Sequence, residues 1–236
     1  MESWRKQNPD FTIILLTKDN YDEYIDIDPE IANHPVFNDS FQRFSDLIRL
    51  SVLEKHGGYW MDASILLRTP LRTLMFRQNR HAEISCFYLD GWTTLPKSPI
   101  IESWMFACIP RCRFVRLWRR EFLEMRRFQT PDDYVESRKK MGVDLQNMKY
   151  CSYLAIHVAA QKVLQIDRYP LDIFDLQQAE QGPYLYLAEA EWDSHQAVQN
   201  ACNQPRYTVL KMRGGVRDYL DEHLSLDLSD ERCKWL

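Results

Sequence analysis

The chain has 236 residues, of which 45% are apolar, and this suits one large α/β domain better than two small ones. Its formal net charge of −4 argues against a protein that binds DNA or RNA, because such proteins usually present a net positive face to the phosphates. The N-terminal segment is polar from Glu2 on, and no apolar run approaches the ~20 residues that span a bilayer. Neither a signal peptide nor a transmembrane helix is therefore predicted.

The hydrophobic pattern predicts strands and helices that alternate along the chain, which favours an α/β layered sheet. Short runs rich in β-branched and aromatic residues predict the strands Phe11–Leu16, Tyr59–Leu67, Glu83–Leu89 and Tyr207–Met212. Apolar residues at helical spacing predict the helices Ser40–His56, Pro99–Ile109, Phe114–Phe128 and Tyr153–Leu164. The remaining polar or irregular segments are interpreted as loops that hold a short helix at most: Thr17–Asp39, Thr130–Met148 and Gln177–Asp193.

Two charged residues on the first long helix are candidates for a binding site. Asp46 and Arg49 are three positions apart, so they lie on one face of that helix. Taken alone, they would be interpreted as a surface ion pair. Gly57-Gly58 follows the helix and is expected to turn the chain tightly, because glycine tolerates a left-handed cap. An acidic strand therefore comes directly after the charged helix.

This strand carries Asp62 and Ser64. We expect both side chains to point to the same side, because side chains alternate along a strand. In open α/β sheets, ligands bind beyond the carboxyl ends of the strands. A carboxylate at such a point can hold Mg²⁺ or Mn²⁺, and the cation can then bridge a diphosphate and offset its charge. The sequence therefore predicts a metal-assisted diphosphate site here.

This order of helix, glycine pair and acidic strand end resembles the capsular polysaccharide synthesis proteins and initiating mannosyltransferase-like enzymes, a sugar-binding family with a DxD motif. Its members carry S-D-x-x-R, an apolar helix and then G-G-x-Y/W-x-D-x-D. The residues that match are Ser45, Asp46, Arg49, Gly57, Gly58, Trp60 and Asp62. The opening Ser3–Asp10 is also similar to the family's segment ahead of its second strand, and Ser98-Pro99 before an apolar helix fits further along.

The resemblance implies a single GT-A-type domain over residues 1–236, with a mixed, mostly parallel sheet flanked by helices. It implies a glycosyltransferase that moves a sugar from a UDP- or GDP-sugar to a glycan or other hydroxyl acceptor, with retained anomeric configuration. Asp46, Arg49, Gly58 and Asp62 would bind the donor. Asp62 would also be the catalytic acidic residue, nearest to the ribose and to the Mn²⁺ or Mg²⁺ cofactor.

The sequence departs from the family pattern in two places. Ser64 stands where the second acid of DxD would be, and its hydroxyl or a bound water would have to complete the metal shell. Family members also begin with a strand similar to I-P-K-I-I-H-x-x-W, which this sequence does not contain, so we expect either a truncated chain or another segment in that strand's place. In related GT-A enzymes a C-terminal loop can add a metal ligand, and Asp193 or His195 would supply it here.

Three further features each have two interpretations. A literal DxD at Asp26 and Asp28 lies in an acidic loop without a strand leading into it, and we interpret it as a solvated turn. Seven arginines lie in Arg111–Arg127 among apolar residues. They indicate either a basic helix that docks on an anionic membrane or a charged acceptor, or a solvated helix face, and the second is favoured. His157 lies on an apolar helix and is predicted to be a core histidine rather than a base.

Together these patterns predict a cytoplasmic transferase, free or peripheral to a membrane, that acts in surface polysaccharide or glycoprotein glycan synthesis. The six cysteines form no CxxC pair, which favours a reduced protein, although their even number leaves disulfides open. The alternative is a catalytically inactive scaffold of the same fold that binds glycan or nucleotide, and Ser64 favours it. A metal-dependent hydrolase of nucleotide sugars is a third candidate.

Overall fold

A computed structural model describes residues 1–79 and 81–227, and the side chains up to residue 223. These residues form two compact units. The core unit is Leu15–Trp60 with Phe76–Leu176, and the terminal unit is Met1–Ile14, Met61–Met75 and the described residues from Gln177 on. The predicted α/β fold, with a sheet flanked by helices, is confirmed.

The described residues contain ten α-helices and six strands. The helices are α1 (Glu2–Gln7), α2 (Pro29–Ala32), α3 (Pro35–Asn38), α4 (Phe41–His56), α5 (Arg113–Leu123), α6 (Pro131–Lys140), α7 (Ala155–Gln165), α8 (Leu185–Ala188), α9 (Ser194–Asn203) and α10 (Gly214–Asp227). The strands are β1 (Gly58–Met61), β2 (Ile65–Leu67), β3 (Ile84–Tyr88), β4 (Ile101–Cys108), β5 (Phe174–Gln178) and β6 (Val209–Lys211).

The core unit is organised around a four-stranded sheet with the order β1-β4-β3-β5. β3 and β4 pair antiparallel, with Ile84 opposite Cys108. Helix α5 packs on α4 and on α7, and α4 and α7 also contact β4. Their apolar side chains form a continuous core, in which the fully buried Trp118 donates its indole N–H to the carbonyl of Ile156 at 2.7 Å. The sheet and these three helices therefore share one hydrophobic core.

Helix α4 forms where predicted because local signals mark both of its ends. The Ser40 hydroxyl accepts a hydrogen bond from the backbone N–H of Arg43 at 3.3 Å, which caps the first turn. Gly57 ends the helix with φ at +66°, in the left-handed region. A Cβ at Gly57 would lie 2.5 Å from the nitrogen of Pro110 and 2.7 Å from the carbonyl oxygen of Cys108. Position 57 therefore requires glycine for two reasons: its φ is positive, and there is no room for a Cβ.

Strand β4 lies inside the segment predicted to be a helix, so that prediction is wrong. All eight residues of Ile101–Cys108 are buried. A strand covered on both faces loses the alternation of apolar and polar residues that marks a half-buried strand, and its pattern then cannot be told from that of a buried helix. The β-branched and aromatic residues in this stretch were the remaining strand signal.

The predicted strand at Phe11–Leu16 is also wrong, because these residues form no ladder within the described part of the chain. Ile14 and Leu15 are 46% and 53% exposed. Strand β5 was not predicted at all. The segments interpreted as loops contain the short helices α2, α3, α6 and α8. Composition therefore identifies an apolar run, but whether that run forms a strand depends on hydrogen bonding to another strand.

The predicted strand Tyr59–Leu67 divides into β1 and β2, with a turn between them. The backbone N–H of Ile65 donates to the carbonyl of Asp62 at 3.0 Å and closes this turn. Asp62 thus follows the carboxyl end of β1 instead of lying within a strand, and Ser64 lies in the turn. The expectation that strand alternation aligns the two side chains is therefore wrong.

The terminal unit holds the antiparallel pair β2 and β6, in which Ile65 lies opposite Lys211 and Leu67 opposite Val209. Trp4 of α1 is buried and donates its indole N–H to the carbonyl of Ile65 at 2.7 Å. Strand β2 therefore contacts α1, near the start of the described chain, and β6, near its end, and so holds the terminal unit together.

We predict that the two neighbouring glycines differ in their tolerance of a side chain. Gly57→Ala should lower the free energy of unfolding by about 3 kcal/mol, since it adds a steric clash to an unfavourable φ. Gly58, with φ at +89° and open space around it, should lose only about 1 kcal/mol as Gly58→Ala. Equal losses in urea denaturation would contradict the close approach of Pro110 and Cys108.

Candidate functional site

The core unit buries the charged pair predicted on α4. Arg49 Nη1 lies 2.9 Å from Asp46 Oδ1 and donates to the hydroxyl of Ser103 at 2.6 Å. The guanidinium carbon lies 5.1 Å from the ring centroid of Trp60, which is a cation–π distance. Both charged side chains are almost fully buried, so the interpretation as a surface ion pair is wrong.

The second carboxylate oxygen of Asp46 is also fixed. Gln42 Nε2 lies 3.1 Å from Asp46 Oδ2 and 2.6 Å from the carbonyl of Tyr153. The charges on α4 are therefore oriented by hydrogen bonds from several segments of the core unit. Groups that are held in this way need little reorganisation when they bind a ligand.

Ser103, which accepts a hydrogen bond from Arg49, is a residue that sequence reasoning missed. It lies on β4, which was predicted to be a helix, and so could not be placed opposite α4. Its neighbour Glu102 is buried as well, with Oε2 3.1 Å from Nε2 of His157 on α7. The prediction that His157 is a core histidine is confirmed, and its buried Nδ1 has no hydrogen-bond partner among the described residues.

The terminal unit places Asp62 and Ser64 around a lysine that was not predicted. Lys211 Nζ lies 2.9 Å from Asp62 Oδ2 and 2.7 Å from Ser64 Oγ. The Lys211 side chain is 10% exposed, whereas that of Asp62 is 28% exposed. We call these three residues the lysine cluster. A usable signal was present in the sequence, since a lysine inside the apolar run of β6 requires a partner if it is buried.

The backbone around Lys211 is fixed on several sides. Its N–H donates to the carbonyl of Pro183 at 3.0 Å, and its carbonyl accepts from the hydroxyl of Tyr186 at 2.9 Å. Burial raises the pKa of Tyr186 well above its usual value, so this hydroxyl remains a donor at all physiological pH values. The N–H of Met212 donates to the carbonyl of Ser64 at 2.9 Å. This bond holds the backbone beside Lys211 close to the turn that follows β1.

The lysine cluster does not fit the divalent cation that the DxD motif implies. Mg²⁺ and Mn²⁺ prefer several oxygen ligands with negative charge, whereas Asp62 and Ser64 offer one carboxylate and one hydroxyl, both bound to an ammonium. Among the described residues no group of three or more His, Cys, Asp or Glu side chains is placed to hold a metal. The predicted Mn²⁺ or Mg²⁺ cofactor stays a prediction, and we derive no step through it.

The residues predicted to close over the donor have other contacts. His195 Nε2 lies 2.8 Å from Gln199 Nε2, and its ring stacks on Tyr219 with the centroids 5.1 Å apart. Asp193 caps α9 by accepting from the N–H of Gln196 at 2.7 Å. These contacts account for both side chains within the terminal unit, and a metal-ligand role for His195 stays a prediction.

Two features keep their simpler interpretation. Asp28 caps α2 by accepting from the N–H of Glu30 at 2.9 Å, and Asp26 is exposed, so this literal DxD is a turn as predicted. On α5 the apolar side chains are buried and most of the arginines are exposed, while Arg119 lies 3.3 Å from Glu54. Contact of this face with a membrane stays a prediction, and no described helix is long and apolar enough to cross one.

The sequence model of the family described as capsular polysaccharide synthesis protein matches residues 1–185. The chain belongs to this family. The match includes Asp46, Arg49, Asp62 and Ser64, and Lys211 lies beyond it. Comparison with curated proteins and with solved structures gave no match. Membership in the capsular polysaccharide synthesis family assigns the chain a role in polysaccharide biosynthesis, which is consistent with a transferase.

We predict a large stability loss on breaking the buried pair. Arg49→Ala should lower the free energy of unfolding by about 3–5 kcal/mol, because Asp46 is then left buried without its countercharge. The matched control is Arg127→Ala, which breaks another i,i+3 pair, to Glu124, whose arginine side chain is 67% exposed. It should cost less than about 1 kcal/mol. Similar losses for both variants in urea denaturation would show that burial of the Asp46 pair contributes nothing.

Proposed function

We propose that the chain is a glycosyltransferase with a GT-A-type domain that moves a sugar from a UDP- or GDP-sugar to a hydroxyl acceptor during polysaccharide synthesis. The observation that carries the proposal is the buried Asp46–Arg49 pair, held by Gln42 and Ser103, inside the segment that matches the capsular polysaccharide synthesis family. A buried ion pair costs desolvation energy, and this one lies ahead of the glycine turn and the acidic residue Asp62, in the order that the resemblance links to donor binding.

The proposed roles follow from the charges. Asp46 and Arg49 bind donor hydroxyls and the phosphate region, since carboxylates accept and guanidinium groups donate strong hydrogen bonds. Gly58 begins β1 without a side chain and lets a ligand approach the backbone. Asp62 accepts hydrogen bonds from the donor at the carboxyl end of β1. None of these residues is placed as a covalent nucleophile in the proposal, and catalysis then depends on positioning and charge stabilisation.

The proposed retained configuration fits a front-face reaction. The acceptor hydroxyl attacks the anomeric carbon from the side on which the nucleoside diphosphate leaves, and the leaving phosphate accepts the acceptor's proton. Such a route requires the donor and the acceptor to be held close together, and most of the rate enhancement comes from this positioning.

We expect nucleotide release in a screen of UDP- and GDP-sugars with a glycan acceptor, carried out with and without Mn²⁺. A glycosyltransferase should release nucleotide only when acceptor is present. The alternative scaffold is favoured by Ser64, and it would release no nucleotide with or without acceptor. A scaffold that binds only glycan would also bind neither UDP nor GDP in calorimetry. A hydrolase would release free sugar with or without acceptor.

Asp62→Asn should lower donor turnover by about a hundred- to a thousandfold, because it removes a charge while keeping the size of the side chain. The matched control is Asp26→Asn, in the exposed DxD sequence that precedes α2, which should leave turnover unchanged. Steady-state rates on the donor found in the screen provide the measurement. A fully active Asp62→Asn, or an inactive Asp26→Asn, would show that the proposed site is on the wrong segment of the chain.

A further inference from the structure

A cavity of about 600 Å³ opens on the surface of the core unit, beside the segment that leads into β4 and the end of α7. The residues proposed to bind the donor are not among the described residues that line it. Its apolar wall includes Leu95 and Ile166, which are 36% and 37% exposed, together with Leu164 and Leu171. Cavities that bind small ligands commonly have this size and an apolar lining with a few polar groups. The cavity therefore has the dimensions of a binding site that the proposed donor site does not use.

Two glutamines hold the wall of the cavity in place. Gln146 accepts a hydrogen bond from the N–H of Leu95 at 2.8 Å and donates to the carbonyl of Ser98 at 2.8 Å. Gln165 of α7 accepts from the N–H of Asp144 at 2.8 Å and donates to the carbonyl of Asp144 at 2.7 Å. These bonds join the segment before β4 to α7 through residues 144–146. A site that is held in this way before a ligand arrives loses less conformational entropy when it binds.

The rim of the cavity is positively charged. Lys97 and Arg168 line the cavity and are exposed, and neither forms a hydrogen bond or an ion pair within the described part of the chain. No aspartate or glutamate is among the described residues that line it. The carboxylate of Asp167, next to Arg168 in the chain, lies 2.9 Å from the ammonium of Lys162. Two cations therefore border the cavity without a countercharge among the residues that line it.

One face of α7 leads from the cavity to the strand that carries Ser103 of the candidate donor site. His157, Gln161 and Gln165 are four positions apart and so lie on this face. His157 Nε2 lies 3.1 Å from Oε2 of Glu102 on β4, and Gln165 lines the cavity. The eight residues from His157 to Gln165 correspond to about 12 Å of helix. The cavity therefore lies within the reach of a short oligosaccharide from the part of β4 that contacts the candidate donor site.

We propose that this cavity binds an acidic sugar residue of the acceptor polysaccharide through the carboxylate of that sugar. The inference rests on the proposed function, because it names the chemistry of the acceptor. Arg168 and Lys97 donate charge-assisted hydrogen bonds, and the fork of a guanidinium group matches a carboxylate. Leu95 and Ile166 pack against the C–H face of the sugar ring, which removes their exposed apolar surface from water. A neutral sugar makes no use of the two charges, so the cavity distinguishes acidic sugars from neutral ones.

The first test measures binding in the absence of any donor. Calorimetry at low salt compares trimers of glucuronic, galacturonic and mannuronic acid with their methyl esters, which keep the sugar and remove the charge. At least one acid should bind about tenfold more tightly than its ester, because the ester loses charge-assisted hydrogen bonds, and added salt should reduce the difference. Absence of binding by every acid, or equal binding of acid and ester, would overturn the proposal. Inorganic phosphate that binds as tightly as the acid would overturn the assignment to a sugar.

The second test uses matched variants that remove one charge each. Arg168 has φ at +52°, and Arg111, which is not among the described residues that line the cavity, has φ at +61°. Glycine adopts such φ values without strain, so Arg168→Gly and Arg111→Gly should both fold, as urea denaturation verifies. Arg168→Gly should weaken binding of the acid about fivefold and leave binding of the ester unchanged, whereas Arg111→Gly should change neither. Equal losses in the two variants, or no loss in Arg168→Gly, would overturn the proposal.

The lysine of the rim has a matched control as well. Lys97→Met should weaken binding of the acid in the same way as Arg168→Gly. Lys149→Met removes another exposed lysine of the core unit, one that is not among the described residues that line the cavity, and it should leave the affinity unchanged. Equal effects of the two lysine variants would show that the acid is attracted by the basic surface in general, and would overturn the assignment to the cavity.

Measurements of transfer separate the two proposals. With an acidic acceptor, Arg168→Gly should raise KM for the acceptor and leave kcat unchanged, because the cavity binds the acceptor equally before and in the transition state. An unchanged KM would overturn the role of the cavity and leave the glycosyltransferase function standing. Binding of an acid by a protein that releases nucleotide from no UDP- or GDP-sugar would overturn the glycosyltransferase function and leave the cavity as a site for acidic glycan.

Discussion

The burial of charge is the constraint on which the core unit depends. Removing two ions from water costs several kcal/mol for each, and only close, well-oriented partners offset this cost. Asp46 and Arg49 meet the requirement through a 2.9 Å contact on one helix, and the hydroxyl of Ser103 comes from β4. The position of α4 against the sheet is thereby coupled to the orientation of the charges. A shift of the helix by one residue would keep the two ions together but would break the hydrogen bond from Arg49 to Ser103.

The same constraint recurs in both units. In the core unit, Glu121 and Arg138 form a buried pair with 2.6 Å between Oε1 and Nε. In the terminal unit, Lys211 of β6 meets Asp62, which lies 149 residues earlier in the chain. These contacts join segments that are distant in sequence, so they select one register among the many that an apolar core alone would accept. Proposed function and fold specificity thus use the same side chains.

Sequence reasoning succeeded where the signal was local. Ser40, the helical spacing and Gly57 determine α4 within a single segment, and a strand after the glycine pair was correctly predicted. It failed where contacts between distant segments determine the structure. β4 is covered on both faces and lost its strand pattern, while Phe11–Leu16 has a strand composition but no ladder in the described residues. Ser103 and Lys211 were missed for the same reason, because each acquires its role only through a contact with a distant segment.

A motif that is counted ligand by ligand gives a misleading account of the lysine cluster. With Ser64 in place of an acid, the count falls from two carboxylates to one, and this favours an inactive protein. The structure adds what this count leaves out, because Asp62 and Ser64 both contact the ammonium of Lys211. Lys211 Nζ lies 2.9 Å from Asp62 Oδ2 and 2.7 Å from Ser64 Oγ. A contact across 147 residues of sequence cannot be found by counting the ligands of a motif, because it exists only once the chain has folded.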